Sequence, residues 1–354
     1  MELVATPDNP MPDGAEVRRV LTKDGIALRV ARWMPAGQSK GTICILQGRA
    51  EFIEKYFEVT RELLDRGFCV VTFDWRGQGG SQRALADARK GHVGDFAFFV
   101  RDLDAIRLQV LEPDCPKPHI ALAHSMGGAV ALQQARRGLL PFERLVTTAP
   151  MIALSHALLR NPGAARALAR FLTLIGWGPS WVPGGGETSL STKPFAGNPL
   201  TGDPVRYARN ANAAAAIRDW AIGDPTLAWL NGAFSLMRRL AEPRAALEIR
   251  TPTLILAAGA DAICATPAIE RFASRLKSGG AIVLKGARHE IMMENDAIRA
   301  EFWAAFDAFV PGTHELPEGT VARERADPTS AAGEALQGGG VDARVASGHD
   351  RAAV

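Results

Sequence analysis

The sequence predicts an α/β protein built on a mostly parallel sheet with helices on both faces. Short continuous apolar runs at 42–47, 68–74 and 119–124 have the length and flanking turn residues of buried strands, and 144–149, 253–258 and 281–285 read as further strands. Segments of helical spacing at 52–66, 95–111, 127–137, 267–276 and 297–309 separate most of them. That alternation is what parallel strands joined by crossover helices require. With 354 residues, 47% hydrophobic and 22% charged, the chain can bury a stable core without disulfides or metals.

Taken in order, 17–22 and 26–34 flank Lys23-Asp24-Gly25, and Asp-Gly between two apolar runs signals a hairpin. The run 42–47 ends at Gly48, and the helix 52–66 ends at Gly67. The strand 68–74 leads into the loop Trp75-Arg76-Gly77-Gln78-Gly79-Gly80-Ser81, and the strand 144–149 is stopped by Pro150. Between 151 and 245 no run reads as a buried strand, and the segment, rich in Ala, Arg, Trp, Gly and Pro, is expected to be a helical cap. From 311 to 354 the composition turns to Gly, Ala, Glu, Arg and Ser, which predicts a disordered tail. The expected organisation is a core of residues 15–150 and 246–310, a cap of 151–245, and the tail.

Composition excludes several classes. A net charge of +3, with no dense basic run, argues against a nucleic-acid surface. Cys44, Cys69, Cys115 and Cys264 are scattered, with no C-x-x-C pair, so neither a zinc site nor a disulfide framework is expected. Cys44 and Cys69 read as small buried hydrophobes. Cys264 is expected to be partly exposed, with nothing to make it a nucleophile. Residues 1–14 have no apolar signal region, and no stretch reaches the roughly 18 apolar residues of a spanning helix. The expected compartment is the cytoplasm, with peripheral contact at the inner face of the membrane left open.

The chemistry centres on His119-Ile120-Ala121-Leu122-Ala123-His124-Ser125-Met126-Gly127-Gly128: a buried strand, a sharp turn carrying serine, then a helix. This is G-x-S-x-G with Ala123 in its first position, small residues being needed where strand and helix approach. A serine hydroxyl needs a base, and the base needs an acid to fix its tautomer. Asp261 lies just past the strand 253–258 and His289 just past 281–285, in the order Ser, acid, His. Residues beyond the C-terminal ends of parallel strands converge on one rim, so Ser125, Asp261 and His289 form the expected triad. Oxyanion donors are expected from the backbone N–H of Met126 and from that of Arg49, with Gly48 letting the chain turn towards the site. The side chains of Arg49 and Glu51 are expected to pair with each other. Neither a metal nor an organic cofactor is required.

Gln47-Gly48-Arg49-Ala50-Glu51, Asp74-Trp75-Arg76-Gly77-Gln78-Gly79, the 123–128 elbow, Gly259-Ala260-Asp261 and His289-Glu290 follow one another as in the α/β hydrolases. More narrowly, roughly residues 15–310 resemble the bacterial lysophospholipases and the related monoacylglycerol lipase and serine aminopeptidase branch. Gly48-Arg49-x-Glu51 and Asp224-Pro225-Thr226-x-x-Trp229 look closest to the lysophospholipase group. The resemblance implies hydrolysis of an ester and a cap over the serine. The cap carries Leu158, Leu159, Leu168, Phe171, Leu172, Leu174, Ile175, Trp177 and Trp181, interleaved with Arg160, Arg166 and Arg170. That mixture suits an apolar acyl pocket and a cationic outer face for an anionic bilayer, and the expected substrate is a single-chain lipid ester, a lysophospholipid or monoacylglycerol. Two alternatives stay open. One is another carboxylesterase or an aminopeptidase, which would draw on Glu187, Asp203, Asp219 or Asp224 to bind an amine. The other is a non-catalytic binding module of the same fold.

Overall fold

The computed structural model describes residues 2–156, 159–217 and 220–312. Within them, eight strands form one sheet: β1 (Glu16–Leu21), β2 (Ala27–Trp33), β3 (Thr42–Leu46), β4 (Cys69–Phe73), β5 (His119–His124), β6 (Arg144–Thr148), β7 (Thr253–Ala258) and β8 (Gly279–Leu284). Their spatial order is β1-β2-β4-β3-β5-β6-β7-β8. The hairpin β1–β2 is antiparallel, as is β2 against β4, and every later pairing is parallel. This is the α/β-hydrolase fold.

Strand periodicity distributes the central side chains between two apolar layers. Cys44, Leu46, Val71, Phe73, Ala121, Ala123, Leu145, Ile255 and Ala257 face one layer. It is completed by α2 (Ala97–Ile106), α4 (Ser125–Arg136), α7 (Leu227–Leu240) and α8 (Thr266–Ala273). Ile43, Ile45, Val70, Ile120, Leu122, Val146 and Leu256 face the other layer, covered by α1 (Phe57–Asp65) and α9 (Asp296–Phe309). Burial on both faces explains why β3, β4, β5 and β7 read as unbroken apolar runs.

The helix expected over 52–66 is a 3₁₀ turn, Ile53–Tyr56, running into α1. That expected over 95–111 is α2 followed by a widened turn at Arg107–Leu111, and a last short turn, α3 (Glu112–Asp114), follows it.

The segment 151–245 carries α5 (Pro162–Leu172), α6 (Pro204–Ala216) and α7, each capped by a side chain: Asn161, Asp203 and Thr226. Among its described residues, strand-like pairing is limited to the isolated bridges Leu154–Cys264 and Trp181–Thr226. Helix α7 packs into the same apolar layer as the sheet. Helix α6 is pinned to the sheet-covering helices by ion pairs: Arg206 and Arg209 reach Glu58 of α1 at 2.8 and 2.6 Å, and Arg206 reaches Asp296 at 2.7 Å. Most of the large apolar residues of α5 and the turn after it do not point inward as an acyl pocket needs, although Leu159, Leu172 and Trp181 are half-buried. Leu168, Phe171, Leu174, Ile175 and Trp177 are 48–74% exposed, on the outside with Arg166 and Arg170. Leu158, Asp219 and the tail from Thr313 onward lie outside the described residues.

Candidate active site

Ser125 sits at the turn between β5 and α4 with φ +48, a left-handed conformation costly for a residue with a Cβ. The turn is tight because α4 starts against the end of β3. A Cβ on Gly127 would lie 2.3 Å from the carbonyl oxygen of Leu46, and one on Gly128 2.3 Å from Thr147 Oγ1. Ala123, two residues before Ser125, is fully buried without disturbing the ladder to Leu46 and Thr147.

The three residues expected from the ends of β5, β7 and β8 meet. His289 Nε2 lies 2.9 Å from Ser125 Oγ, and His289 Nδ1 lies 2.8 Å from Asp261 Oδ2. The other oxygen, Asp261 Oδ1, accepts the N–H groups of Ile263 and Cys264 at 2.7 and 2.9 Å. Burial pushes the Asp261 pKa upward, but the imidazole and these N–H groups outweigh it and hold the carboxyl below its ordinary value. Asp261 is therefore ionised and fixed, as an acceptor for one imidazole nitrogen must be.

Cys264 is fully buried rather than partly exposed, and burial pushes its thiol well up. Its sulfur, a carboxylate oxygen of Asp261 and a ring nitrogen of His289 lie within 4.8 Å of one another. A metal there would need a thiolate that burial disfavours and would displace the contacts that align His289, so the donor set fits a metal poorly.

In the loop after β3, Gly48 N–H donates to Glu51 Oε2 and Ala50 N–H to Gln78 Oε1, which leaves the N–H of Arg49 without a partner among the described residues. Met126 N–H belongs to the first turn of α4, where no helical carbonyl is available to it. The turn is made not at Gly48, as the sequence predicts, but at Ala50, which takes the left-handed conformation, φ +62. Gly48 is needed for space, since a Cβ there would meet Glu51 Oε2 at 2.9 Å and His124 Cδ2 at 3.0 Å.

Nor do Arg49 and Glu51 pair. The Arg49 guanidinium donates to Gly223 O at 2.7 Å and lies 5.1 Å from the Trp229 ring centroid, tying the loop to the start of α7. Burial, opposed by Asp224, lowers its pKa to about 10. Glu51 turns inward to Lys55, 2.7 Å away, and accepts the Tyr56 hydroxyl at 2.7 Å. Burial would raise its pKa, yet Lys55 and His124 hold it down to about 2. Sequence reasoning missed Lys55, Tyr56, Gln78 and His124 in this region. Only Glu51 and Lys55, four apart at the start of a helical stretch, offered a signal.

A sequence model of the serine aminopeptidase, S33, group of hydrolases matches residues 37–296. The chain belongs to this family. Within it, the chain is 32% identical to lysophospholipase L2 of Escherichia coli K12, over 85% of this chain and 88% of that protein. It is 32% identical to the monoglyceride lipase of Rattus norvegicus over a shorter stretch, 46% of this chain and 50% of the other. Among solved structures, a soluble variant of the Saccharomyces cerevisiae monoglyceride lipase has the same fold, with a TM-score of 0.69 at 18% identity. That match covers 86% of this chain and 98% of the yeast chain.

Proposed function

We propose that the chain hydrolyses carboxylic esters of single-chain lipids, lysophospholipids or monoacylglycerols, through Ser125, His289 and Asp261. The observation that carries this reading is His289 bridging the Ser125 hydroxyl and the Asp261 carboxylate, at a strained turn that holds the serine up to the rim. His289 takes the serine proton as Ser125 Oγ attacks the ester carbonyl, and returns it to the departing alcohol. It then activates water to release the fatty acid from the acyl-enzyme. Asp261 holds the tautomer and stabilises the imidazolium. The N–H groups of Arg49 and Met126 receive the oxyanion, one from each side of the β3–β5 pair.

Lipid esters are favoured over aminoacyl substrates by the relatives' substrates and by where the carboxylates go. Asp203 caps α6 and pairs with Arg206, Asp224 accepts Gly186 N–H, and Glu187 is exposed. These described acids do not converge on one amine-binding point. Among the described residues no helix is long and apolar enough to cross a membrane. The exposed apolar and cationic face of α5 supports peripheral docking on an anionic bilayer instead.

The test is labelling with a fluorophosphonate probe, then turnover of acyl esters against aminoacyl amides. Labelling of wild type and its loss in Ser125→Ala, with turnover of lysophospholipid or monoacylglycerol, is the expected result. An unlabelled, folded wild type refutes the activated serine and points to a binding module. Labelling that survives the substitution refutes Ser125, and turnover confined to amides refutes the substrate class.

A further inference from the structure

Beneath the oxyanion loop, Lys55 Nζ lies 2.7 Å from Glu51 Oε1 and 2.7 Å from Glu290 Oε1, with all three side chains no more than 8% exposed. Glu51 belongs to the loop after β3; Glu290 directly follows His289 after β8. In the sheet order, β5, β6 and β7 stand between those two strands, so backbone pairing does not set the separation of their loops directly. Lys55 spans the gap with one ammonium. Glu51 then passes the constraint on, because its second oxygen takes the Gly48 N–H and the Tyr56 hydroxyl. Gln78 clamps the same loop from the opposite side, accepting from Ala50 N–H and donating to Gly48 O, each at 3.1 Å.

Stability gives little reason to bury two carboxylates around one ammonium, because desolvation consumes most of the attraction. Geometry gives a strong one. An oxyanion donor displaced by about 1 Å from its partner catalytic groups costs on the order of 100-fold in rate.

We propose that Lys55 and Glu290 are positioning residues for acyl transfer, joining the loop that carries the oxyanion donor to the loop that carries His289. The proposal rests on the reading of Arg49 N–H and His289 given above. It places the effect in the transition state: substrate binding is left alone, and stabilisation of the tetrahedral oxyanion is lost when the bridge is cut.

Glu290→Leu is the main variant, since it severs the bridge but leaves Lys55 and Glu51 as a balanced pair. Glu290→Gln keeps an acceptor for Lys55, and Lys55→Met removes the bridge from its other end. Each is checked for folding by circular dichroism and assayed with p-nitrophenyl butyrate. Inhibition is measured with a trifluoromethyl ketone, which forms an oxyanion adduct, and with a non-hydrolysable ether lipid, which does not.

For Glu290→Leu, kcat is expected to fall about 10- to 100-fold, and affinity for the ketone by the same factor. KM and affinity for the ether lipid should stay within about twofold, and Glu290→Gln should recover most of the loss. A folded Glu290→Leu that keeps its kcat overturns the proposal. So does a fall in ether-lipid affinity matching the fall in kcat, because that marks a general packing role. Failure of the triad reading shows separately, as wild type that the fluorophosphonate does not label.

Discussion

His124 stands immediately before the serine, and its chemistry depends on where the fold puts it. It is 3% exposed, with Nδ1 3.0 Å from Thr148 Oγ1 and its ring 4.9 Å from that of His289. Burial, opposed by Glu51, lowers its pKa to about 4 from an ordinary 6.5. Between those values the unfolded chain binds the proton and the folded one does not, so stability rises with pH across the window. The contribution is complete above pH 6.5 and is lost on acidification towards pH 4, amounting to about 3 kcal/mol at most. Glu51, held near 2, extends the same trend below its unfolded value of 4.5. Buried Asp102, which desolvation pushes up to about 6, acts in the opposite direction over the same range, so the test is a comparison: in urea unfolding, wild type is expected to lose more stability than His124→Asn between pH 6.5 and 4. An equal change in the two proteins would assign the titration to another group. None of this was legible at 124 in the sequence, where the residue reads only as the variable position of the elbow. Glu51 was misread for a related reason. Two residues apart in a loop, Arg49 and Glu51 look like natural partners, but the left-handed Ala50 between them goes with side chains that reach opposite ways, to Gly223 and to Lys55.

At the scale of elements, the buried strands were legible because burial on two faces leaves only apolar residues to choose from. The triad was legible because topology alone carries the ends of β5, β7 and β8 to one rim. Edges were harder. β8 begins at Gly279, not 281, since its first two residues are glycines, which read as a turn; Gly279 lies so close to β7 that a Cβ would sit 1.9 Å from Thr253 O. The same kind of contact makes a prediction at the elbow. A Cβ on Gly127 would meet two backbone carbonyl oxygens, Leu46 at 2.3 Å and Gln47 at 2.6 Å, and neither can rotate away. Gly127→Ala must push α4 off β3, which separates Met126 N–H from the loop that carries Arg49. A stability loss of about 1–3 kcal/mol is expected from overpacking of this kind. The fluorophosphonate labelling rate should fall about tenfold or more in protein that is still folded, since removing one oxyanion donor costs at least that much. Labelling at the wild-type rate would show that the elbow absorbs the methyl without moving.

For the whole molecule, the proposed peripheral docking rests on the distribution of surface character. From 151 to 186 the chain carries no Asp or Glu, while Arg160, Arg166 and Arg170 are exposed. Leu174 at 74%, Phe171 and Trp177 at 59%, and Ile175 at 52% share this stretch with them. Exposed apolar residues in one stretch with exposed cations suit the interfacial region of an anionic bilayer, where each basic residue adds about 1 kcal/mol and buried apolar area supplies the rest. The ion pairs from Arg206 and Arg209 to Glu58 hold α6, in the same segment, to the core. Wild type is expected to sediment with phosphatidylglycerol vesicles more than with phosphatidylcholine vesicles, and high salt should weaken that binding without abolishing it. Leu174→Ser combined with Trp177→Ser should lose vesicle binding and turnover of vesicle-embedded lipid, while hydrolysis of p-nitrophenyl butyrate in solution stays within about twofold, since the apolar contribution scales with the area removed. If the double variant binds vesicles as wild type does, this face is not the docking surface. If soluble and embedded substrates lose turnover equally, these residues act on the site itself and not on its approach to the membrane.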